Sequence, residues 1–367
     1  MSKRIIIGGG GTGGHVFPAI SVANALRNIH PDTEILFVGA NGRLEMEKVP
    51  EAGYKIEGLP VMGFQRSLSL KNILFFVNLF KSLRLAKQII KSFKPDIALG
   101  VGGYASGPIL KAASAAGVPI VLQEQNSYAG ITNRLLAKRA SLICVAYEGM
   151  EKYFPAHKIL HTGNPVRKDI IDSANKRDEG LRYFNLGNED PVVLIIGGSL
   201  GAGTINNTIG NALSELPGNI QFLWQTGKSY YDKALELLNV SGRTNIKVVP
   251  FIKQMNLAYG CADIIVSRAG AGTISELAIA GKPVILIPSP NVAEDHQTKN
   301  ALALSEKMAA ILVKDDDAES VLIRTIIQLT SDNVKRISLS TNIKKLAIPD
   351  SAERIAMEIF KLIKNHD

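Results

Sequence analysis

The chain has 367 residues, 46% of them hydrophobic and 20% charged, which is typical of a globular protein that can bury substantial cores. At roughly 100–200 residues per domain, this length predicts two domains. The formal net charge of +9 favours an anionic partner: a phosphorylated ligand, an anionic membrane surface or nucleic acid. The two cysteines, Cys144 and Cys261, exclude a disulfide framework and favour a reduced, cytosolic setting.

Short apolar runs alternate with helix-like segments along the whole chain. The first half has predicted strands at residues 4–7, 34–38, 97–99, 120–122 and 142–145, and the second half at 191–199, 220–227, 246–251, 263–270 and 283–288. This alternation predicts βαβ units and a parallel sheet. The continuous Val, Ile and Leu runs predict strands that are buried on both faces.

Each half opens with the same unit, an apolar strand that runs into a glycine-rich loop and then a helix. The loops are residues 8–14 and 197–203. We therefore predict an α/β protein with two Rossmann-like domains, residues 1–164 and 165–348. A last helix over residues 349–367, capped by Asp350 with Glu353 three positions on, could pack back on the N-terminal domain.

The first loop reads "GGGGTGGH", and Gly9, Gly11 and Gly14 match the dinucleotide fingerprint G-x-G-x-x-G. That fingerprint also needs an acidic residue about 20 positions on, at the end of the second strand. The strand here ends "FVGANG" without one, which disfavours a nicotinamide oxidoreductase. Glycines before a helix expose N–H groups that attract anions. We expect residues 8–14 to form a backbone anion cradle with His15 at its mouth, although a lone histidine is more often structural.

Polar loops follow other predicted strands, at the sheet edge where open α/β folds bind ligands. They are residues 100–108, 123–133, 163–167, 267–281 and 293–301. Arg268 is a natural partner for phosphate or carboxylate. Glu276 is either a surface acid of a helix or the grip on a ribose diol. The amides and carboxylates of residues 293–301 suit sugar hydroxyls.

Seven motifs in order make the sequence recognisable over almost its whole length. They are "GGGTGGHVFP" (9–18), "GGYASGP" (102–108), "EQN" (124–126), "GNPVR" (163–167), "GGSLGA" (197–202), "SRAGAGTISE" (267–276) and "DHQTKNA" (295–301). Together they resemble the MurG family of peptidoglycan N-acetylglucosaminyltransferases. The resemblance implies a GT-B fold, with two Rossmann-like parallel-sheet domains facing a cleft. It implies inverting transfer from UDP-N-acetylglucosamine to the 4-hydroxyl of undecaprenyl-pyrophosphoryl-N-acetylmuramyl-pentapeptide, with no cofactor and no metal.

The resemblance also implies site residues, motif by motif. On the donor side it places Glu276 on the uridine ribose. Near the uridine or its diphosphate it places Arg167, Ser199, Gly270, Ala271 and Thr273. It places Gln297, Asn300 and Asn126 on the sugar, and Thr12, Gly13 and Gly14 within reach of the donor. On the acceptor side it places Gly9, Gly10, Gly11 and Tyr104, together with Thr12, His15 and Glu124. The catalytic base is His15 or Glu124, with His15 preferred because histidine titrates near neutral pH.

Two positions depart from the family pattern. Gln123 stands where the family often has histidine, so this position supplies no essential base. His296-Gln297 stands where the family often has paired glutamines, so one sugar contact differs in chemistry. The acidic stretch 314–319 is interpreted as a solvated turn and not as a metal site.

Residues 58–95 contain seven basic and no acidic side chains, with apolar residues crowded between them. Such a helix predicts binding to a membrane surface, through Lys71, Phe75, Phe76, Leu79, Phe80, Lys81 and Arg84. The alternative is an ordinary helix whose apolar side faces the core. No apolar run reaches the ~18–20 residues of a membrane span. The expected location is thus peripheral, on the cytoplasmic face of the plasma membrane, with a cell-wall synthesis complex as a further partner.

Other functions remain open from the residues alone. A different lipid glycosyltransferase or a UDP-sugar epimerase could use the same fold, and a non-catalytic sugar-nucleotide binding protein would show no turnover. Nucleic acid is not an expected partner, because Trp224 is the only tryptophan and no nucleic-acid recognition motif is present.

Overall fold

The structure is a computed structural model that describes residues 2–61, 71–198, 201–292 and 295–364, with residues 71–74 described by their backbone alone. The chain forms two compact units. The first comprises Met1–Arg167 and Ile348–Asp367, and the second comprises Lys168–Ala347. The division falls after Arg167, where the sequence analysis placed it after residue 164, and the last helix belongs to the first unit.

The first unit has a parallel sheet of seven strands in the order β3-β2-β1-β4-β5-β6-β7. Its strands are β1 (Arg4–Gly8), β2 (Glu34–Ala40), β3 (Lys55–Leu59), β4 (Ile97–Gly100), β5 (Ile120–Glu124), β6 (Leu142–Val145) and β7 (Ile159–His161). Its helices are α1 (Gly13–Ile29), α2 (Glu45–Glu51), α3 (Lys71–Phe93), α4 (Ser106–Ala115), α5 (Ile131–Leu136) and α15 (Ser351–Lys364). The predicted parallel sheet is therefore confirmed for this half.

The second unit has a parallel sheet of six strands in the order β10-β9-β8-β11-β12-β13. Its strands are β8 (Val192–Ile196), β9 (Gln221–Gln225), β10 (Ile246–Val249), β11 (Ile264–Ser267), β12 (Val284–Leu286) and β13 (Ile311–Leu312). Its helices are α6 (Lys168–Ile171), α7 (Arg177–Phe184), α8 (Gly203–Asn211), α9 (Lys228–Ser241), α10 (Met255–Cys261), α11 (Ala271–Ala280), α12 (His296–Ser305), α13 (Ala318–Ser331) and α14 (Asn333–Lys344). Both halves thus repeat one Rossmann-like plan, as predicted.

Each sheet reverses its strand order beside its first strand. β1 pairs with both β2 and β4, and β8 pairs with both β9 and β11. In open α/β sheets this switch point opens a crevice at the carboxyl ends of the strands, where ligands bind. The loops after β1 and β4, and after β8 and β11, are therefore the first places to look for a functional site.

Helices cover both faces of the first sheet because successive strand residues point to opposite sides. Ile5 and Ile7 pack in one core with α1 and α15, whereas Ile6 packs on the other side with α3, α4 and α5. The buried face of α15, which includes Ile355 and Ile359, joins the core of α1. This burial explains why the C-terminal helix returns to the first unit.

Three strands were not predicted, and all three lie at sheet edges. β3 and β7 border the first sheet, and β13 borders the second. The sequence of β3, "KIEGL", is only partly buried, and β13 is two residues long. Edge strands have one solvent-exposed side, so they lack the continuous apolar runs that revealed the central strands.

Candidate active site

The glycine loop after β1 uses several of its N–H groups inside the protein. The Gly9 N–H donates to Val38 O over 3.0 Å, and the Gly10 N–H donates to Gly102 O over 3.3 Å. The Gly11 N–H donates to Glu45 Oε2 over 2.7 Å. These three N–H groups, which the resemblance places on the acceptor, are therefore already used inside the protein. The N–H groups of His15 and Val16 both donate to Thr12 O over 3.1 Å. The anion cradle expected over residues 8–14 thus narrows to Gly13 and Gly14 at the start of α1.

Glycine is required in this loop by backbone conformation and by close approach. Gly10 and Gly11 have φ values of 143° and 95°, which other residues rarely adopt. A Cβ atom on Gly10 would overlap the carboxyl group of Glu45, and one on Gly103 would overlap the carbonyl oxygen of Gly10. Backbone atoms of the loops after β1 and β4 are thus in direct contact.

His15 lies where these two loops meet. Thr12 precedes α1 in an extended conformation, and its Oγ1 lies 3.3 Å from His15 Nδ1. A Cβ built on Gly102 would come within 3.0 Å of His15 Nε2, so the ring packs against the loop after β4. Tyr104, in the same loop, is 57% exposed. The Thr12 and His15 side chains, which the resemblance assigns to the acceptor side, therefore lie together beside the loop that carries Tyr104.

Glu124 ends β5 and is almost completely buried, with 2% of its surface exposed. Its Oε1 accepts from the backbone N and the Nδ2 of Asn126 over 3.1 and 3.4 Å. Its Oε2 accepts from Gly130 N and Asn133 Nδ2 over 3.0 and 2.8 Å. A carboxylate offers about four acceptor sites, and these four donors fill them. Glu124 consequently holds the loop after β5 in shape.

Burial raises the pKa of Glu124, because desolvation disfavours the charged carboxylate. The hydrogen bonds from Asn133, Asn126 and Gly130 act in the opposite direction and lower this pKa, with a smaller effect.

Gln123, the first departure from the family pattern, is fully buried in a network of amides. Its Nε2 donates to Asn164 Oδ1 over 2.9 Å, and its Oε1 accepts from Gln125 Nε2. Asn164 Nδ2 donates back to Gln125 O over 3.0 Å. Gln123 therefore links the motif after β5 to the "GNPVR" motif, which agrees with the expectation that it is no base.

In the second unit, Gly270 precedes α11 and the next residues form its first turn. Glu276 lies one turn further on and is partly exposed, and its Oε2 accepts a hydrogen bond of 3.0 Å from Tyr259 Oη. Tyr259 lies in α10 and is buried. Sequence reasoning missed Tyr259, because nothing in the local pattern of "NLAYGC" marks it as a neighbour of α11.

Arg268 follows β11 and is held by carbonyl and carboxylate groups of the protein. Its Nη1 donates to Ile287 O and Pro288 O over 3.1 and 3.2 Å, and it pairs with Asp315 Oδ1. Asp315 Oδ2 also accepts from Thr204 Oγ1 over 2.8 Å. The interpretation of 314–319 as a solvated turn is therefore wrong at Asp315, whose side chain is 16% exposed. Arg268 positions its loop and has a carboxylate partner already.

The remaining predicted donor residues differ in accessibility. Asn300 is fully buried and donates to Ala269 O over 3.3 Å, which places it behind the loop that precedes α11. Gln297 is partly exposed, and its Oε1 accepts from Ser289 N over 2.9 Å. Asn126 and Arg167 are partly exposed. Ser199 lies outside the described residues.

The described residues contain neither a reactive cysteine nor a cluster of metal ligands. Burial raises the pKa of Cys144 to about 12 and that of Cys261 to about 11, so neither thiol supplies a thiolate near neutral pH. Within residues 2–61, 71–198, 201–292 and 295–364, no group of three His, Cys, Asp or Glu side chains is arranged to hold a metal ion.

Large apolar side chains are exposed on α3 and α5: Phe76 and Phe80 on α3, and Ile131 and Leu135 on α5, together called the exposed apolar patch here. Phe76 and Phe80 are 62% and 71% exposed and share a helix face, since they are four residues apart. Beside the patch, a groove of about 460 Å³ is lined by Phe75, Leu79, Tyr104, Pro108 and Leu135, with Lys111 and Arg139 also lining it.

Lys81 and Arg84 are exposed on α3, whereas the Lys71 side chain lies outside the described part of the chain. In that described part, no helix is long and apolar enough to cross a membrane.

Comparisons with known proteins agree with this layout. Residues 5–145 match the N-terminal domain of glycosyltransferase family 28, and residues 192–355 match its C-terminal domain. A UDP-N-acetylglucosamine–N-acetylmuramyl-(pentapeptide) pyrophosphoryl-undecaprenol N-acetylglucosamine transferase of Bacteroides thetaiotaomicron is 56% identical over 362 residues, which cover 98% of this chain and 97% of that protein.

Solved structures give the same result. The crystal structure of MurG from Acinetobacter baumannii aligns with a TM-score of 0.80 and 28% identity, covering 98% of this chain and 99% of that one. A UDP-GlcNAc 2-epimerase from Neisseria meningitidis aligns with a TM-score of 0.69 at 16% identity, over 98% of this chain and all of that one, which shows a shared fold alone. The predicted GT-B fold is thus confirmed, and the chain belongs to the MurG family of N-acetylglucosamine transferases within glycosyltransferase family 28.

Proposed function

We infer that the chain transfers N-acetylglucosamine from UDP-N-acetylglucosamine to undecaprenyl-pyrophosphoryl-N-acetylmuramyl-pentapeptide, the step of peptidoglycan synthesis that forms lipid II. The observation that carries this function is the 56% identity to a transferase of that name along nearly the whole of both chains. Four of the shared motifs, 9–18, 102–108, 197–202 and 267–276, follow the strands at the switch points, β1, β4, β8 and β11, where ligands bind in such folds.

We propose that the second unit binds the donor at the start of α11. The backbone N–H groups of Gly270, Ala271 and Thr273 at a helix N-terminus suit a diphosphate. The role that the resemblance gives Arg167, which belongs to the first unit, stays a prediction. Glu276 would accept hydrogen bonds from the ribose diol, held in place by Tyr259. Gln297 would contact the sugar, while buried Asn300 would support the loop from behind. Ser199 stays a prediction.

In the first unit, the acceptor would meet the start of α1. Gly13 and Gly14 offer N–H groups for its pyrophosphate, and Tyr104 lies on the neighbouring loop. His15 would be the base. With Nδ1–H donated to Thr12 Oγ1, Nε2 takes the proton of the acceptor 4-hydroxyl. The 4-oxygen then attacks the anomeric carbon in line, the bond to the phosphate oxygen breaks, and UDP leaves with the electron pair.

Attachment to the cytoplasmic face of the plasma membrane is proposed to use the exposed apolar patch. Two aromatic rings on one helix face, Phe76 and Phe80, are typical of interfacial helices. The exposed Lys81 and Arg84 would attract anionic lipids. Ile131 and Leu135 of α5 extend the patch beyond the segment that the sequence indicated.

The first test is UDP release from UDP-N-acetylglucosamine, with and without a short-chain lipid I analogue, and with EDTA present throughout. We expect release only when the acceptor is present, because water alone is a poor substitute for a positioned hydroxyl. Donor loss without acceptor would instead indicate an epimerase or hydrolase. No release in either case would contradict a metal-independent transferase.

The choice of base is tested with His15→Ala and Glu124→Gln. Removal of a general base lowers the rate about 10²–10⁴-fold, so kcat of His15→Ala should be lower than that of wild type by this factor. The fall in rate that wild type shows at acidic pH should be absent from this variant. Glu124→Gln should keep that acidic limb of the pH–rate profile, because all four of its acceptor sites are used by the protein. His30→Gln, at the other end of α1, is the control. An acidic limb that disappears in Glu124→Gln and persists in His15→Ala would reverse the assignment.

Tyr259→Phe tests the support of Glu276. A hydrogen bond to a charged group contributes roughly 1.5–3 kcal/mol, so partial loss of the orientation of Glu276 should raise the donor KM about tenfold. The acceptor KM should stay unchanged. Tyr230→Phe, in the same unit, is the matched control. Equal donor KM values for Tyr259→Phe and wild type, measured by titrating the donor at saturating acceptor, would contradict the role.

Membrane binding is tested with two double variants, Lys81→Glu/Arg84→Glu and Phe76→Ser/Phe80→Ser. Each basic residue near an anionic leaflet contributes about 1 kcal/mol, so the charge reversal should weaken sedimentation with anionic vesicles at least about tenfold. The Phe76→Ser/Phe80→Ser variant should weaken binding to anionic and neutral vesicles alike. Lys247→Glu/Lys335→Glu, with the same change of net charge on exposed sites of the second unit, should bind as wild type. Unchanged binding of both test variants would refute the proposed surface.

A further inference from the structure

Glu45 is a buried carboxylate that lies against the glycine loop of the first unit. It opens α2 and is 1% exposed. Its Oε1 accepts the N–H of Ala40 over 2.9 Å, and its Oε2 accepts the N–H of Gly11 over 2.7 Å. Burial of a carboxylate is unfavourable unless its oxygens are hydrogen-bonded, and here the two backbone N–H groups provide those bonds.

The space for this carboxylate is made by glycines. A Cβ on Gly10 would overlap the carboxyl group of Glu45, and a Cβ on Gly39 would overlap its side-chain carbon Cγ. Gly10 lies in the loop after β1, whereas Gly39 lies near the end of β2. The Glu45 side chain, which lies between the ends of two adjacent strands, therefore requires glycine at both positions.

The carboxylate lies one residue away from the groups assigned to the acceptor. The Gly11 N–H points to Glu45, and the next residue, Thr12, places its hydroxyl 3.3 Å from His15 Nδ1. Gly10 in turn donates to Gly102, which packs against the His15 ring. The position of the His15 ring thus depends on a loop whose central N–H group is fixed by Glu45.

The negative charge of Glu45 also affects where an anion can bind to the glycine loop. A negative side chain bonded to Gly11 occupies that N–H and repels any further anion at the same point. The pyrophosphate of the acceptor would consequently bind further along the loop, at the start of α1 beside His15. A loop of unoccupied glycine N–H groups would offer several alternative positions.

We propose that Glu45 is a positioning residue for the acceptor half of the reaction: its carboxylate fixes Gly11, and through Thr12 it sets the place of His15 and of the bound pyrophosphate. This inference rests on the proposed function for its kinetic consequence. The geometry it describes, a Gly11 amide held by a buried carboxylate, is independent of that function.

The test is Glu45→Gln, which keeps size and shape but replaces one carboxylate oxygen with an amide donor. A displacement of about 1 Å in a reacting group can cost about 10²-fold, so we expect kcat to fall about 10- to 100-fold and the acceptor KM to rise. The donor Kd, measured by calorimetry, should stay as in wild type. Hydrogen exchange of the Gly11 amide, followed by NMR, should accelerate about tenfold or more with loss of the bond.

Asp96→Asn is the matched control. Asp96 also accepts a backbone N–H bond, from Arg4 over 2.7 Å, but at the opposite end of β1. The Asp96→Asn substitution should lower the melting temperature without changing the acceptor kinetics or the hydrogen exchange of the Gly11 amide. Gly39→Ala supplies a second route, because its methyl group displaces Glu45 without altering the carboxylate, and it decides the matter if Glu45→Gln does not fold.

The outcomes separate this inference from the proposed function. Faster Gly11 exchange with a specific acceptor defect supports the positioning role. Wild-type acceptor kinetics in a folded Glu45→Gln or Gly39→Ala variant would overturn it, as would defects that match those of Asp96→Asn. If wild type itself shows no acceptor-dependent UDP release, the proposed function fails, whereas the Gly11 exchange result still reports on the Glu45 contact.

Discussion

Two backbone segments touch at the end of β1, and the first unit depends on that contact. The loops after β1 and β4 approach so closely that Gly103 has no room for a side chain beside the Gly10 carbonyl oxygen. The parallel sheet makes this meeting unavoidable, because β1 and β4 are neighbours and both end at the same edge. The second sheet uses the same device at β8, where a Cβ on Gly201 would overlap the backbone of Thr226.

Buried carboxylates hold the loops at these strand ends in order. Glu45 fixes the loop after β1, Glu124 fixes the loop after β5, and Asp315 holds Arg268 after β11. Each of these carboxylates accepts donors from segments that carry proposed ligand contacts. Buried polar groups are costly when unpaired, so each pairing also selects one conformation of its loop. In this arrangement the carboxylates hold the loops in place, and other residues of those loops would touch the substrate.

The sequence predicted those elements whose structure depends on residues that are close together in the chain. Central strands follow from continuous apolar runs, and the glycine loops follow from their composition, so the two sheets and the edges that carry the candidate site were predictable. The positioning residues were not. Glu45 is 34 residues from Gly11, and Asp315 is 47 residues from Arg268, so neither pair leaves a local signal. "KDDDAE" has the composition of a solvated turn, and only the fold brings Thr204 and Arg268 to Asp315.

Tyr104 connects the proposed membrane contact with the proposed chemistry. It belongs to the loop whose Gly102 packs against His15, and its side chain also lines the apolar groove with Phe75 and Leu79. A lipid acceptor has an apolar chain and an anionic pyrophosphate joined end to end, so an apolar surface that continues into an anion-binding loop matches both parts. The basic side chains Lys111 and Arg139 line the same groove, where they would favour a pyrophosphate over a neutral head group. Attachment to the membrane and orientation of the acceptor would then be one event, because the same surface of the first unit performs both.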